Sequence, residues 1–335
     1  MEPVRWAILS TARINRRVIP HLHESPCCEL VAVASRTQDR ADEYARTWSI
    51  PRAHGSYEAL LEDPEVEAVY ISLPNGPHVE WSSRFLEAGK HVLCEKPLAR
   101  DPQDVERAFD AADRAGRLLM EAFMWRHHPQ TARFVELVSG GAIGELRLVR
   151  ASFSFRIDRD DDVRLAPALA GGALMDVGCY CVSGARLLAG EPLWASAQQV
   201  LGPSGVDVRL VGTLVLAGGV LAQLDCAFDL PLREELEAIG SAGSLRAAWP
   251  WTVREPGLEL RRGDAVERIE VERASSYRRQ ADNFSRAVRG LEPQLLGRDD
   301  ALGQARALDA LYRAADAEGS SVAIPVEIGY PGASS

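Results

Sequence analysis

The first 121 residues alternate between short apolar runs and amphipathic segments, and this alternation leaves few possible folds. Apolar runs at 6–9, 30–34, 66–71, 91–94 and 118–120 predict buried strands, and the segments between them have the apolar spacing of helices. Strands that alternate with helices form a parallel sheet with right-handed crossovers and helices on both faces. The sequence therefore predicts an α/β protein whose residues 1–121 form a doubly wound parallel sheet.

The predicted strand at 91–94 ends in a charged pair, Glu95-Lys96, which Pro97 follows. Proline removes a backbone donor and favours an extended conformation at the residue before it. In open α/β sheets, ligands bind at the carboxyl ends of the strands. Lysine occurs only at Lys90 and Lys96 in this arginine-rich chain. We interpret the pair as part of an active site; the alternative is a solvated loop with two charges.

A turn of small and polar residues follows the first strand and leads into a helix. This Rossmann-type arrangement directs backbone N–H groups and the helix dipole at an anion such as a pyrophosphate. Ser10, Ala12 and Asn15 occupy the three small positions of the G-x-G-x-x-G/A fingerprint, and Asn15 is the departure from it. We predict that the dinucleotide binds this turn, which comprises Ser10, Thr11, Ala12, Arg13 and Ile14.

The end of the second strand carries Ser35-Arg36 instead of the carboxylate that holds the ribose 2′-hydroxyl of NAD. A serine hydroxyl and an arginine suit a 2′-phosphate. NADP is therefore the expected cofactor, with NAD possible and Arg40 as a second candidate. The alternative for Arg36 is a surface arginine at a helix start.

Beyond Glu121 the alternation stops, which predicts a second domain of α+β type at 122–330 and a disordered tail at 331–335. β-prone runs at 195–201, 206–216, 220–228, 234–239 and 258–271 indicate a large, mostly antiparallel open sheet, and Gly218-Gly219 suits a primed hairpin turn. Two amphipathic helices follow at 277–289 and 301–318. A further helix contains Asp176 and Tyr180, whose spacing of four places them on one face, where they could be partners.

Two motifs resemble the signatures of the Gfo/Idh/MocA oxidoreductases: Cys94-Glu95-Lys96-Pro97-Leu98, and the G-G-x-x-x-D-x-G-x-Y pattern from Gly171 to Tyr180. The resemblance implies that Lys96, Asp176 and Tyr180 are catalytic and bind the substrate. Tyr180 would carry the hydroxyl proton, Lys96 would supply the positive charge that lowers its pKa, and Asp176 would orient the substrate.

The resemblance also implies that Leu73, Pro74, Asn75 and His78 wall the dinucleotide together with Glu95 and Lys96. It suggests Arg126, His127 and Arg164 as substrate contacts. His78 could equally be a helix-start residue, and Arg126 and His127 could equally be packing or capping residues.

These features predict an NADP-dependent oxidoreductase that transfers a hydride between nicotinamide and a carbohydrate or cyclic polyol carbon. The alternatives are an NAD-dependent glycosidase-like hydrolase and a non-catalytic dinucleotide- or sugar-binding regulator. The resemblance further implies a homodimer or homotetramer through the C-terminal sheet.

Composition excludes several other classes of protein. A net charge of −10 disfavours a nucleic-acid surface. The six cysteines lack C-x-x-C spacing and no histidine cluster completes a metal site, so we expect core thiols and no metal. No apolar run approaches the roughly 18 residues of a membrane span, and the N-terminus lacks a secretory pattern, so we expect a cytoplasmic protein.

Overall fold

The computed structural model describes residues 1–325 and contains two sheets, the first of which is parallel. Its six strands have the order β3-β2-β1-β4-β5-β6, so that the order reverses between β1 and β4. The predicted doubly wound sheet is confirmed; the short strand β3 was not predicted. The elements of this half are β1 Val4–Leu9, α1 Asn15–Glu24, β2 Cys28–Ala34, α2 Gln38–Trp48, β3 Arg52–His54, α3 Tyr57–Leu61, β4 Ala68–Ile71, α4 His78–Glu87, β5 His91–Cys94, α5 Pro102–Ala115 and β6 Leu119–Glu121.

The second sheet has nine strands in the order β14-β13-β12-β11-β7-β10-β9-β8-β15, and of its described strand pairs only β7 and β10 run parallel. The predicted large, mostly antiparallel sheet is therefore confirmed. Its elements are α6 Pro129–Ser139, β7 Leu146–Ser154, α7 Cys179–Ala189, β8 Pro192–Leu201, β9 Asp207–Leu216, β10 Leu221–Ala227, β11 Arg233–Gly240, β12 Ser244–Ala247, β13 Leu258–Arg262, β14 Ala265–Ile269, α8 Ser276–Val288, α9 Arg298–Asp316 and β15 Val322–Ala323.

Two details of this sheet differ from the prediction. The run at 258–271 is not one strand, because Gly263, with φ +57°, turns the chain back between β13 and β14. Strand β12 was missed because it has only four residues. Gly218 and Gly219 have φ of +69° and +77°, as a primed turn requires. The predicted tail at 331–335 lies outside the described residues.

The two faces of the second sheet have different surroundings. Leu210, Leu214 and Leu224 are buried beneath the helices, whereas Trp194 and Val211 on the opposite face are about half exposed. The alternation along β8, β9 and β10 therefore buries one face and leaves apolar groups on the other.

The last two helices pack against the first sheet. The Trp6 indole donates to the Ser285 hydroxyl of α8 at 3.1 Å. Arg289 pairs with Glu67 at 2.8 Å, and Arg298 of α9 pairs with Asp110 at 2.7 Å. These contacts join the last two helices to the first domain, although the sequence prediction places both helices in the second domain.

The expectation of no long apolar stretch is wrong for Pro167–Ala189, which is long and apolar enough to cross a membrane by length and composition. About two thirds of its most apolar window is buried within the protein, and it includes α7, so we interpret it as part of the core. The six cysteines are also buried and free, as predicted for core thiols.

Candidate active site

Lys96 lies at the carboxyl end of β5, directly after the strand and before a cis peptide bond to Pro97. Its Nζ donates to the backbone oxygen of Asp176 at 2.6 Å and lies 3.3 Å from Asp176 Oδ1. The same nitrogen lies 4.7 Å from the centroid of the Tyr180 ring. Two distant parts of the sequence therefore meet here, one that contains Lys96 and one that contains Asp176 and Tyr180. Because the Lys96 side chain is only 9% exposed, the solvated-loop alternative is wrong.

Asp176 lies in a π-helical turn, Leu174–Gly178, that precedes α7. The wider turn changes the phase of the helix, so the prediction that Asp176 and Tyr180 share a regular helix face as partners is wrong. Instead, Asp176 Oδ2 accepts from Arg164 Nε at 2.7 Å while Oδ1 faces Lys96. The buried carboxylate is thus held between two cations.

The start of this turn is fixed by Asp207, which sequence reasoning missed. Asp207 accepts the Leu174 N–H at 2.7 Å and the Tyr312 hydroxyl at 2.8 Å. A Cβ on Gly172, whose φ is +129°, would lie 2.0 Å from Asp207 Oδ1. A Cβ on Gly178 would lie 2.7 Å from a sulfur of β10. A side chain at either glycine would therefore clash with its neighbours. The sequence signal for the role of Asp207 was an aspartate at the start of an apolar strand.

The ring of Tyr180 is held by aromatic neighbours. Its centroid lies 5.6 Å from that of Phe123, 5.4 Å from Phe153 and 6.0 Å from Trp251. Tyr180 remains partly exposed, and its hydroxyl has no hydrogen bond within residues 1–325. The ring is therefore fixed while its oxygen is free to meet a ligand.

The three residues differ in charge. Burial opposes the charge on Lys96, but the carboxylate of Asp176 raises the pKa of Lys96 above its ordinary value. Burial would raise the pKa of Asp176, but Lys96 and Arg164 lower it. Burial raises the pKa of Tyr180 well above 10 although Lys96 opposes it. The site therefore contains an ammonium, a carboxylate and a neutral phenol; Lys96 lowers the pKa of Tyr180 as predicted, but burial outweighs this effect.

The turn after β1 fits a pyrophosphate. Ser10 has φ +97°, and its hydroxyl accepts the Ala12 N–H at 3.2 Å. The backbone N–H groups of Thr11, Arg13 and Ile14 have no hydrogen bond within the described residues, and they precede α1. Asn15 replaces the small residue of the fingerprint, and its side-chain N–H donates to the Ser10 carbonyl oxygen at 2.9 Å, while its Oδ1 is buried without a partner in the described residues.

Ser35 and Arg36 follow β2 at the same edge of the sheet. Burial raises the pKa of Tyr57, while the positive charges of Arg36 and Arg40 lower it. Neither arginine forms an ion pair within residues 1–325. Two unpaired cations beside a strand end fit a 2′-phosphate, which supports the predicted preference.

The loop after β4 agrees only partly with the prediction. Leu73 is buried and Pro74 partly exposed. The Asn75 amide donates to the Ala170 carbonyl oxygen at 2.9 Å, so this N–H is used within the protein and not for the dinucleotide. His78 is fully buried, with its ring nitrogens 2.9 Å and 2.8 Å from the carbonyl oxygens of Pro97 and Leu73. A direct cofactor contact by His78 is therefore wrong; the residue supports the loops on either side.

The three predicted substrate contacts have different surroundings in the structure. Arg164 lies in the site, but Arg126 donates to Asp300 at 3.3 Å and to Ser183 at 3.4 Å. Burial, together with Arg126, lowers the pKa of His127 to about 3, and its Nε2 is buried without a partner in the described chain. For Arg126 and His127 the structure favours the packing alternative.

Glu95 accepts a short hydrogen bond from the Tyr70 hydroxyl at the same strand end. Burial raises the pKa of Glu95, although Lys96 and Tyr70 lower it. Across residues 1–325, no group of three or more His, Cys, Asp or Glu side chains is arranged to hold a metal ion.

Comparison with family profiles identifies both halves of the chain. Residues 4–123 match the profile described as an oxidoreductase family with an NAD-binding Rossmann fold, and residues 131–246 match the GFO/IDH/MocA C-terminal domain. The chain belongs to the Gfo/Idh/MocA oxidoreductase family.

Similar members of the family act on sugars. D-xylose 1-dehydrogenase (NADP(+)) 2 of Haloferax volcanii is 40% identical over 319 residues, which cover 93% of this chain and 97% of that protein. The dTDP-3,4-didehydro-2,6-dideoxy-alpha-D-glucose 3-reductase of Actinomadura kijaniata is 35% identical over 316 residues, covering 92% and 95%.

Solved structures of family members show the same fold. A 3-ketoreductase from Actinomadura kijaniata in complex with NADP and TDP-benzene has a TM-score of 0.88 at 34% identity, covering 93% of this chain and 98% of that one. An aldose-aldose oxidoreductase from Caulobacter crescentus complexed with glycerol has a TM-score of 0.89 at 28% identity, covering 96% and 99%.

These findings establish the enzyme class. The Gfo/Idh/MocA protein described here is an oxidoreductase, and its sugar-acting relatives include one named for NADP(+) and one solved with NADP. None of these four relatives is named a hydrolase or a regulator, so the two alternative functions gain no support from them.

Proposed function

We propose that this protein is an NADP-dependent dehydrogenase of free aldopyranoses, which oxidises a ring CH–OH group at Lys96, Asp176 and Tyr180. The observation that carries the proposal is the convergence of these side chains at the carboxyl end of β5. Relatives named as a D-xylose dehydrogenase and an aldose-aldose oxidoreductase support the substrate class.

The proposed roles follow from the charges of the three groups. Bound NADP would supply the nicotinamide carbon that accepts the hydride. Lys96 would hydrogen-bond the reacting oxygen, and Asp176 and Arg164 would keep Lys96 in place. Tyr180 would move the hydroxyl proton. Its neutral form suits proton donation to a carbonyl, and its ionised form, favoured by Lys96, suits sugar oxidation, so oxidation should gain from rising pH.

Backbone and arginine groups at the first sheet would hold the cofactor. The free N–H groups of Thr11, Arg13 and Ile14 would bind the pyrophosphate at the N-terminus of α1. Arg36, with Ser35 beside it, would bind the 2′-phosphate. Leu73 and Pro74 would line the groove after β4.

The charges around Asp176 favour a free sugar over a nucleotide sugar. The loop before α7 carries four aspartates at 158–162. Arg159 is committed to Asp161 through contacts of 2.9 Å and 2.8 Å, and Arg164 is committed to Asp162 and Asp176. The excess negative charge of this loop would therefore repel a diphosphate, whereas it would not repel a neutral aldose.

The outer face of the second sheet is proposed as the contact with a second copy of the chain. Trp194, Val211 and Leu221 on neighbouring strands are 48%, 56% and 44% exposed. Exposed apolar groups that cluster on one sheet face are typical of interfaces. We infer a homodimer or homotetramer formed through this face.

The test is a substrate panel with both cofactors. Free aldoses such as D-xylose and D-glucose, ketosugars, cyclic diols and dTDP-sugars are assayed with NADP and with NAD by nicotinamide absorbance. Formation of NADPH with free aldoses is expected. Turnover of nucleotide sugars alone, or of no member of the panel, would contradict the proposal.

A further inference from the structure

Glu121, the last residue of β6, lies beneath the loop that carries Lys96. It is 2% exposed and pairs in register with Cys94 of β5. Its Oε1 accepts the Leu98 N–H at 2.8 Å. Because Pro97 has no N–H, Leu98 supplies the first backbone donor after Lys96. One side chain from the neighbouring strand therefore anchors the point where the chain leaves the active site.

The other oxygen of this carboxyl group is buried and has no partner within residues 1–325. The titratable and charged groups that act on Glu121 come from every element around it: Lys96 from the loop, Cys94 from β5, Arg126 from the turn at 124–127, Cys179 and Arg186 from α7, and Asp300 from α9.

The balance of these groups favours the uncharged form. Burial and the charge of Asp300 raise the pKa of Glu121 to about 8, although the Leu98 N–H, Arg186 and Lys96 oppose this. Asp300 also takes up the nearby positive charge, because it lies 3.3 Å from Arg126 and 3.9 Å from Arg186. An uncharged carboxyl can carry its proton on the unpartnered oxygen and still accept from Leu98 with the other.

We propose that Glu121 is a positioning residue, which accepts the Leu98 N–H and so holds Lys96 at the reacting oxygen. The inference rests on the proposed sugar dehydrogenase function. The Leu98 N–H also lowers the pKa of Glu121, so the hydrogen bond persists when the carboxyl group ionises. Turnover should therefore depend on an acceptor oxygen at this position.

The test compares Glu121→Gln with Glu121→Leu in the full-length enzyme. Glutamine keeps an acceptor oxygen for the Leu98 N–H, so its kcat should stay within about threefold of wild type. Leucine removes the acceptor, and misplacing Lys96 should lower kcat by about 10- to 100-fold. The NADPH dissociation constant, measured by fluorescence, should change little in either variant.

Two results would overturn the inference. One is a glutamine variant as impaired as the leucine variant, which would mean that the negative charge is needed. The other is a leucine variant with wild-type kcat. If the leucine variant does not fold, a Leu98 amide without protection from hydrogen exchange in wild type would also overturn it.

A measurement without turnover separates this inference from the proposed function. The Leu98 amide should be protected from hydrogen exchange in wild type and in Glu121→Gln, and less protected in Glu121→Leu. Equal exchange of this amide in all three proteins would contradict the anchor, even if the enzyme proves inactive on sugars.

Discussion

Replacing Tyr180 with phenylalanine isolates the proton-transfer role, because the structure predicts that the variant keeps its packing. The ring contacts with Phe123, Phe153 and Trp251 depend on the aromatic ring, which phenylalanine retains. The Tyr180 hydroxyl has no hydrogen bond in the described part of the chain, so the substitution leaves no partner unsatisfied. The free energy of unfolding should change by less than about 1 kcal/mol.

Turnover should nevertheless fall by about 10²- to 10⁴-fold, the usual contribution of a positioned proton carrier. This range corresponds to about 3–5 kcal/mol of transition-state stabilisation. The assay is kcat for aldose oxidation by nicotinamide absorbance, with NADPH affinity from fluorescence and stability from denaturant unfolding on the same preparation. Affinity for NADPH should be unchanged.

Either of two outcomes would refute this reasoning. Unchanged turnover would show that another group carries the proton. A loss of turnover accompanied by an equal loss of folding free energy would show that the hydroxyl supports the structure and not the reaction.

The other predictions test the remaining parts of the account. Lys96→Met should reduce kcat at least as much, because Asp176 keeps only Arg164 as its cation; near-normal kcat would contradict the role of Lys96. Arg36→Ala should weaken NADP binding by about 10- to 100-fold, the value of a charged hydrogen bond, without weakening NAD binding, and calorimetry with an unchanged ratio would refute the 2′-phosphate assignment. Burial raises the pKa of Asp207 from 3.8 to about 6, so the stabilising contribution of its neutral form is full below pH 3.8 and is lost as the pH rises through about 6. Wild type should lose about 3 kcal/mol of unfolding free energy between these pH values, and Asp207→Asn should not show this loss. Denaturant titrations in which both proteins have the same pH dependence would contradict this. Val211→Lys should shift the sedimentation coefficient toward that of a monomer, and an unaltered coefficient would count against the proposed interface.

Local sequence patterns predicted the strands and helices whose own residues determine where they begin and end. The run at 91–94 coincides with β5, because its four β-prone residues lie between Gly89, which ends a helix, and Pro97, which ends the strand region. The same alternation defined the first sheet. Such elements are set by periodicity and by turn residues close in sequence.

Long-range partners were beyond the reach of these patterns. The phase of Asp176 relative to Tyr180 depends on a π turn that is held by Asp207, a residue 31 positions later in the sequence than Asp176. His78 and Asn75 carry the polar groups expected of cofactor contacts, yet tertiary packing commits them to backbone oxygens. The Glu121 anchor was missed for the same reason, since its partner lies in another strand–helix unit.

The most direct test of the shared role of Lys96, Asp176 and Tyr180 is isotope transfer from an aldopyranose deuterated at C1. The account predicts that wild-type enzyme moves deuterium to the nicotinamide of NADP in one-to-one ratio with oxidised sugar, and that Lys96→Met and Tyr180→Phe both transfer it far more slowly. Deuterium appearing in solvent, or transfer at the wild-type rate by either variant, would contradict it.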